Sequence, residues 1–334
     1  MTLKNPVISA DHLTVSVPEG PHYFFQPTYK LDILIDVSIA VRAGEIVSIV
    51  GESGSGKTTF GRALMGLMRP SGGEIRLDGT ALPDFSKASF RKVRREAALL
   101  FQDPASSFNP RQRIGAMIAE PRRIAGKGGM SRTDLEDLAA TAGLGASLLS
   151  RFPHALSGGQ ARRAAVARAL SVVPRLIIAD EPTAGLDVSV QGGVLNLFLD
   201  IRDRHDTAFL LITHNLAVAR HVSDRIVIMY LGRVVESGPT AEIFRAPRHP
   251  YTRALLDSEP VPDPKRLRAE PPVIGEVPSL MNRPSGCEFH QRCRIARDRC
   301  RVKAPAEMPF AGGHTVRCHF PLEAPAGMSA MAMR

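Results

Sequence analysis

The chain has 334 residues, 44% hydrophobic and 23% charged, a composition that excludes a largely disordered or collagen-like polypeptide and suffices for about two domains with a sizeable core. Its 43 Lys plus Arg stand against 33 Asp plus Glu, a formal net charge of +10 that favours polyanionic neighbours: nucleotides, nucleic acid or anionic lipid heads. No stretch approaches the roughly eighteen uncharged apolar residues of a membrane span, and the opening MTLKNPVISADHLTVSV has no secretory signal, so a cytoplasmic protein is expected.

Short apolar segments (LTVSV, ILIDVSIAV, EIVSIV) open the chain as strands, and GESGSGKT follows the last of them. A helix is predicted from Lys57, with Thr58 to Met68 at helical spacing and Arg69, Pro70, Ser71, Gly72 and Gly73 ending it; GEIRLDG then reads as a strand and turn. AALLFQ, Ala97 to Gln102, is a further strand. DPASSFNP breaks the pattern and opens a mostly helical region, about 104–171, in which Ser131 and Asp134 have the spacing of a helix cap. LIIA, AFLLIT and RIVIMY are short, turn-bounded runs of the kind buried parallel strands make, with helical segments between them. This alternation predicts an α/β doubly wound sheet carrying a helical insertion. Beyond about Phe244 prolines and arginines become frequent and apolar periodicity fades, so a second, smaller unit is expected, with the division at 1–240 and 241–334. No solenoid-type repeat is present in the sequence.

Gly51, Gly56, Lys57 and Thr58 satisfy G-x-x-x-x-G-K-S/T between a strand and a helix. Glycines there let backbone N–H groups turn inward around phosphates, the helix start adds its dipole, Lys57 reaches the β- and γ-phosphates and Thr58 ligates magnesium. Such a site needs an acid on a neighbouring strand. Asp180 ends LIIAD in reach of a magnesium shell, and Glu181 follows as the group to orient and deprotonate an attacking water. His214 ends AFLLIT as a hydrogen-bond donor towards the γ-phosphate, and Gln102 ends AALLFQ as a contact to magnesium or water. For His214 and Gln102, plain structural roles compete with these on spacing alone. Ser157, Gly158, Gly159 and Gln160, in LSGGQ, precede the basic helix ARRAAVARAL and make a second anion-binding helix start. Lacking a lysine and a carboxylate pair of its own, that second end is expected to serve another subunit's nucleotide; a structural glycine turn is the alternative.

Cys287, Cys293, Cys300 and Cys318 are separated by five, six and seventeen residues, without the close pairs of structural zinc sites. Clustering of all four in a chain without an export signal points to metal or redox chemistry rather than disulfides. On spacing, a 4Fe-4S cluster and zinc stand level, with four free thiols a distant third. Arg292, Arg294, Arg297, Arg299 and Lys303 are placed to offset a cluster's charge, while His290, His314 and His319 keep a mixed zinc site open.

Together the motifs resemble the ATP-binding-cassette family: GESGSGKT as Walker A, Gln102 as Q-loop, LSGGQ as signature, LIIADE as Walker B, AGLD as D-loop and His214 as switch, in the family's order over about 7–240. The resemblance implies a P-loop ATPase fold with an antiparallel β subdomain. It also implies a head-to-tail dimer in which Gly51, Glu52, Ser53, Gly54, Ser55, Gly56, Lys57, Thr58 and Thr59 of one subunit and Ser157 to Gln160 of the other sandwich ATP, with Asp187 kept in the D-loop. AGLD replaces the commoner SALD. The aromatic that stacks on adenine has no clear equivalent, because Val17 sits near its usual place; Tyr23, Phe24, Phe25 and Tyr29 are the candidates, or pack locally.

RHPYTRALL, IGEVPSL, GCEFHQRC and HTVRCHF resemble the tails of oligopeptide and dipeptide importer ATPases, and FQDPASSFNPR their F-type subunit. This implies a second, similar ATPase subunit, two membrane permeases, an extracytoplasmic binding protein, attachment to the cytoplasmic membrane face, and iron–sulfur rather than zinc at the cysteines. Nucleic acid is not expected as a partner. A nucleic-acid-associated cassette ATPase, a redox-sensing regulator, and import of nickel or an opine are the competing readings.

Overall fold

The computed structural model describes residues 5–19, 29–104, 107–259 and 275–323. Two long strands, β1 (Pro6–Glu19) and β2 (Tyr29–Arg42), pair antiparallel. Apolar positions two apart, such as Leu13 and Val15 on β1 or Val37, Ile39 and Val41 on β2, are buried, so one face of the pair carries the core. The candidate Tyr23, Phe24 and Phe25 lie outside the described residues, and Tyr29 begins β2.

β3 (Ile46–Val50), buried throughout, feeds the glycine loop and α1 (Lys57–Leu64). That helix ends four residues before its expected limit, Met68. Gly66, at φ 64°, turns the chain out of the helix while its N–H bonds back to Ala63, a stop that the apolar spacing of Thr58 to Met68 conceals. β4 (Gly72–Leu77) and β5 (Thr80–Ala81) complete a four-stranded sheet in the order β2-β1-β4-β5. α2 (Phe90–Glu96) and β6 (Ala97–Leu100) lead into a helical insertion of α3 (Ile114–Ile124), α4 (Arg132–Thr141) and α5 (Gly158–Leu170). Ser131 and Asp134 form the cap that their spacing predicts, each side chain bonded to the other's backbone N–H.

Then β7 (Leu176–Asp180), α6 (Val188–His205), β8 (Ala208–Thr213), α7 (Leu216–Val222), β9 (Arg225–Tyr230) and β10 (Arg233–Pro239) alternate. α8 (Thr240–Arg245), α9 (Pro250–Ser258), α10 (Asp298–Val302), β11 (Met308–Phe310) and β12 (His314–Val316) follow. The second sheet has the order β11-β12-β10-β9-β3-β8-β7-β6, and its strands from β9 to β6 are parallel. Their C-terminal ends are level: Val50 faces Thr213, Asp180 faces Ile212, and Leu100 faces Ala179. The loops leaving β3, β6, β7 and β8 therefore open on one edge, where ligands of such sheets bind.

Past the change in sequence texture the chain adds to this sheet. β12 pairs antiparallel with β10 through Glu236 and Ser237. The Glu236 carboxylate, fully buried, accepts the backbone N–H groups of Arg248 (2.6 Å) and His249 (3.0 Å) and lies 2.7 Å from His314 Nε2, tying the start of α9 and β12 to β10. A buried carboxylate this fully bonded gains in hydrogen bonds what it loses in hydration.

Candidate functional site

A cavity of about 760 Å³ opens at the level strand ends. Gly51, Glu52, Ser53, Gly54, Gly56, Lys57, Thr58, Thr59, Gln102, Glu181 and His214 line it, so four separate strand ends converge as the motifs predict. The glycine loop is forced by packing as much as by its ligand: a Cβ on Gly51 would run into the Met229 carbonyl, and Gly56 stands at φ 94° against Leu34. Ser55 is buried behind the loop, its Oγ accepting from Lys57 at 3.3 Å.

Lys57 is 7% exposed and donates its ammonium protons to the carbonyls of Gly51 and Glu52, both at 2.8 Å. Burial lowers its pKa, against the pull of the Glu181, Asp180 and Glu52 carboxylates. The Thr58 hydroxyl donates to Asp180 Oδ1 at 3.1 Å, joining the two residues expected to share magnesium. Burial also holds the Asp180 carboxyl above the usual carboxylate range, although the Thr58 hydrogen bond favours its ionised form.

Glu181 leaves β7 in the left-handed region, φ 47°, an unfavourable conformation for a non-glycine residue, and its N–H bonds to the Ile212 carbonyl on β8 at 2.9 Å. That turn aims the carboxylate across to the neighbouring strand end, where His214 Nδ1 lies 2.7 Å from Oε1. Glu181 is sheltered and His214 open to solvent, with side-chain exposures of 14% and 66%. Gln102 lies at the cavity mouth, exposed.

The signature residues are elsewhere. Ser157 caps α5, accepting from Gln160 N–H at 3.3 Å while Gln160 Oε1 accepts from Ser157 N–H at 3.0 Å. None of Ser157, Gly158, Gly159, Gln160 or Asp187 lines the cavity. Asp187 caps α6, accepting from Val190 N–H at 2.9 Å, and is exposed.

A family model described as ABC transporter matches residues 34–184, and one described as oligopeptide/dipeptide transporter, C-terminal region, matches 235–300. The chain is 42% identical to a probable peptide ABC transporter ATP-binding protein of Sinorhizobium fredii, over 95% of this chain and 90% of that protein. It belongs to the ATP-binding subunits of oligopeptide and dipeptide ABC transporters. With the oligopeptide transport ATP-binding protein OppF of Salmonella typhimurium this ABC ATPase shares 41% identity, over 90% of its length and 92% of the relative's. Among solved structures, the dimeric bacterial ABC transporter cassette MJ0796 matches with a TM-score of 0.62 at 28% identity, over 70% of this chain and 98% of that one. A post-hydrolysis dimer of the same cassette, bound to ADP and Pi, matches with the same TM-score of 0.62 at 27% identity, again over 70% of this chain and 98% of that one.

The expected metal centre of this ABC ATPase is not met by the geometry: among the described residues no group of three or more His, Cys, Asp or Glu side chains is placed to hold a metal ion. The histidines expected for a mixed zinc site each engage one ring nitrogen elsewhere: His314 Nε2 lies 2.7 Å from Glu236, His290 Nδ1 2.9 Å from the Cys287 carbonyl, and His319 Nε2 2.7 Å from the Lys303 carbonyl. All four cysteines are free, Cys300 and Cys318 buried and Cys287 and Cys293 partly so. Burial pushes the thiols of Cys287 up to about 12 and Cys318 up to about 11, and raises Cys293, although in each a backbone N–H two residues on (Phe289, Phe320, Ile295) is directed at the sulfur.

Two contributions escaped the motif reading. Ile33, Leu255 and Leu280 form an apolar wall of the cavity, and Arg292, expected to balance cluster charge, pairs instead with Glu52. The fragments RHPYTRALL and GCEFHQRC carry Leu255 and Arg292, but only as markers of kinship.

Proposed function

We propose that the chain supplies the energy of a peptide importer by hydrolysing ATP held between its own residues 51–59 and the Ser157–Gln160 turn of a second, similar cassette, with residues 241–334 an extension built onto the ATPase. The observation that carries this is the division of the motifs: phosphate loop, Gln102, Glu181 and His214 share one cavity, while the signature turn, a helix start with Ser157 and Gly158 exposed, is not among the residues that line it. That turn is then free to meet a partner's triphosphate with its N–H groups. The MJ0796 cassette, solved as a dimer bound to ADP and Pi, supports a dimeric, ATP-hydrolysing assembly here.

Within the site, Lys57 exchanges its loop carbonyls for the β- and γ-phosphates, whose charge outbids them. Glu181 orients and deprotonates the attacking water, and His214, 2.7 Å away, holds the Glu181 carboxylate and the γ-phosphate in register. Thr58, Asp180 and Gln102 would hold Mg2+, which supplies neutralisation of the charge developing on the transferred phosphoryl group.

Coupling to permeases is supported by an apolar groove of about 520 Å³ beside the cavity, between β6 and the helical insertion, where Phe101 (42% exposed) and Ile124 (79%) present bare side chains. Phe101 adjoins Gln102, so a permease segment in this groove would sense the nucleotide cavity directly. No helix among the described residues is long and apolar enough to cross a membrane, which supports attachment to the cytoplasmic face through such partners. At the cysteines, Cys287, Cys293, Cys300 and Cys318 would hold a 4Fe-4S cluster that cross-links turns with little core of their own. Protein purified without oxygen should be brown with about four irons per chain, and colourless, zinc-loaded protein would reject the cluster.

The deciding experiment is co-purification from detergent-solubilised membranes. Two permeases and a second ATPase are expected. Salt-sensitive nucleic-acid binding that stimulates ATP hydrolysis would favour the nucleic-acid reading instead.

A further inference from the structure

Glu52, in the second position of the phosphate loop, has every polar group tied down. Arg292 grips its carboxylate with both terminal nitrogens, Nη1 at 2.6 Å from Oε2 and Nη2 at 2.9 Å from Oε1. Its N–H donates to the Tyr251 hydroxyl at 3.0 Å, and its carbonyl accepts from Lys57 at 2.8 Å. Arg292 and Tyr251 both come from the C-terminal extension.

This pair differs from an ordinary surface ion pair, which contributes little. The Arg292 side chain is 6% exposed and lies over the Tyr230 ring, its guanidinium carbon 5.8 Å from the centroid. Tyr230, Tyr251 and Phe289 pack against one another with centroids 4.8, 5.2 and 5.3 Å apart, so the clamp rests on an aromatic base contributed by β9, α9 and the cysteine-bearing segment. Arg292 adjoins Cys293, and its own N–H bonds to the Phe289 carbonyl at 3.0 Å, fixing the turn that aims the guanidinium. A planar, two-pronged contact in such a setting constrains direction as well as distance.

We propose that Arg292 is a positioning residue for ATP hydrolysis: through Glu52 it fixes the first half of the phosphate loop, so the C-terminal extension sets the affinity for the triphosphate. The inference rests on reading residues 51–59 as the ATP-binding loop. A loop that acts by presenting N–H groups and one ammonium at fixed points loses binding when its anchor slackens, whereas the water-activating Glu181 stands on another strand and keeps its place.

The test uses the full chain, with ATP affinity measured by equilibrium titration and hydrolysis by steady-state kinetics. Arg292→Met should weaken Kd and raise KM about tenfold, mid-range for residues in direct contact, with kcat within about threefold of the parent. Arg292→Lys should recover part of the loss, Glu52→Gln should reproduce it, and the double variant should be no weaker than the worse single variant. Unchanged affinity in Arg292→Met, additive losses in the double variant, or kcat falling as far as KM rises would each overturn the proposal. If Arg292→Met does not fold, parental affinity in both Arg292→Lys and Glu52→Gln overturns it equally. Failure of the parent chain to bind ATP at all would instead remove the loop assignment beneath it.

Discussion

His214 Nδ1 lies 2.7 Å from Glu181 Oε1, a contact between the ends of two adjacent parallel strands that exists because Glu181 turns through a left-handed φ of 47° as it leaves β7. Had the chain continued along the strand direction, that carboxylate would not bridge to β8. An unfavourable backbone at this residue, paid for by the buried strands on either side, is what builds the acid–imidazole pair.

Glu181→Gln keeps the shape and the hydrogen bond while removing the base. ATP binding should persist and turnover should fall by about 10²-fold or more, the range for loss of a general base. Single-turnover hydrolysis beside a binding titration separates the two quantities. Turnover close to that of the parent would take the role away from Glu181.

Asp180 sets activity against stability. Because burial raises its carboxyl pKa in the folded state, the native protein holds that proton to higher pH than the unfolded chain, and stability declines as pH rises through the interval between the two values. At neutral pH the ionised group therefore costs the nucleotide-free protein stability. Asp180→Asn keeps an acceptor for the Thr58 hydroxyl and removes the charge. Its melting temperature without nucleotide should rise, while magnesium-dependent hydrolysis falls about 10²-fold or more. Calorimetry and ATPase assays on one preparation check both, and a lowered melting temperature would count against the burial argument.

What the sequence discloses follows from locality. LIIA and AFLLI are uniformly apolar because their strands are covered on both faces, and the polar residues that end or follow them lie at one sheet edge by the geometry of parallel strands. Gly51, Gln102, Asp180 and His214 are thus placed by motif and topology together. Arg292 and Glu52 are 240 residues apart, and no local period links them. β12 has three residues, too few for alternation to register, and its place beside β10 rests on the contact of its His314 ring with the buried Glu236 of that strand. The histidines near the cysteines look like ligands in sequence; in the fold one ring nitrogen of each faces Glu236 or a backbone carbonyl, and among the described residues no group of three or more ligating side chains comes together.

The groove beside Gln102 gives a test of coupling apart from chemistry. Ile124, 79% exposed on α3, touches no group of the nucleotide cavity. Ile124→Asp should leave hydrolysis by the isolated chain unchanged and reduce permease recovery in detergent pull-downs about tenfold, a loss of ~1.4 kcal/mol, because it removes an apolar contact and puts in its place a carboxylate that must be desolvated on docking. Undiminished recovery would move the docking surface elsewhere.

His249 makes stability depend on acid in a predictable direction. It is 1% exposed; its Nδ1 accepts the Tyr251 N–H at 3.0 Å, so the neutral ring carries its proton on Nε2. Burial lowers its pKa to about 4, even though the Glu236 carboxylate nearby pulls the other way. In the unfolded chain the imidazole takes up a proton near its ordinary value of 6.5, while the folded protein resists until about 4. Between those values the unfolded state binds more protons, so the stabilisation present above the upper limit is lost as pH falls, by up to roughly 3 kcal/mol. His249→Asn keeps an oxygen to accept the Tyr251 N–H at the start of α9 and removes the titration. Melting temperatures measured from neutral pH down to the lower limit should fall less steeply for the variant than for the parent. Parallel curves would mean that the carboxylates alone govern acid unfolding and that His249 is protonated without cost.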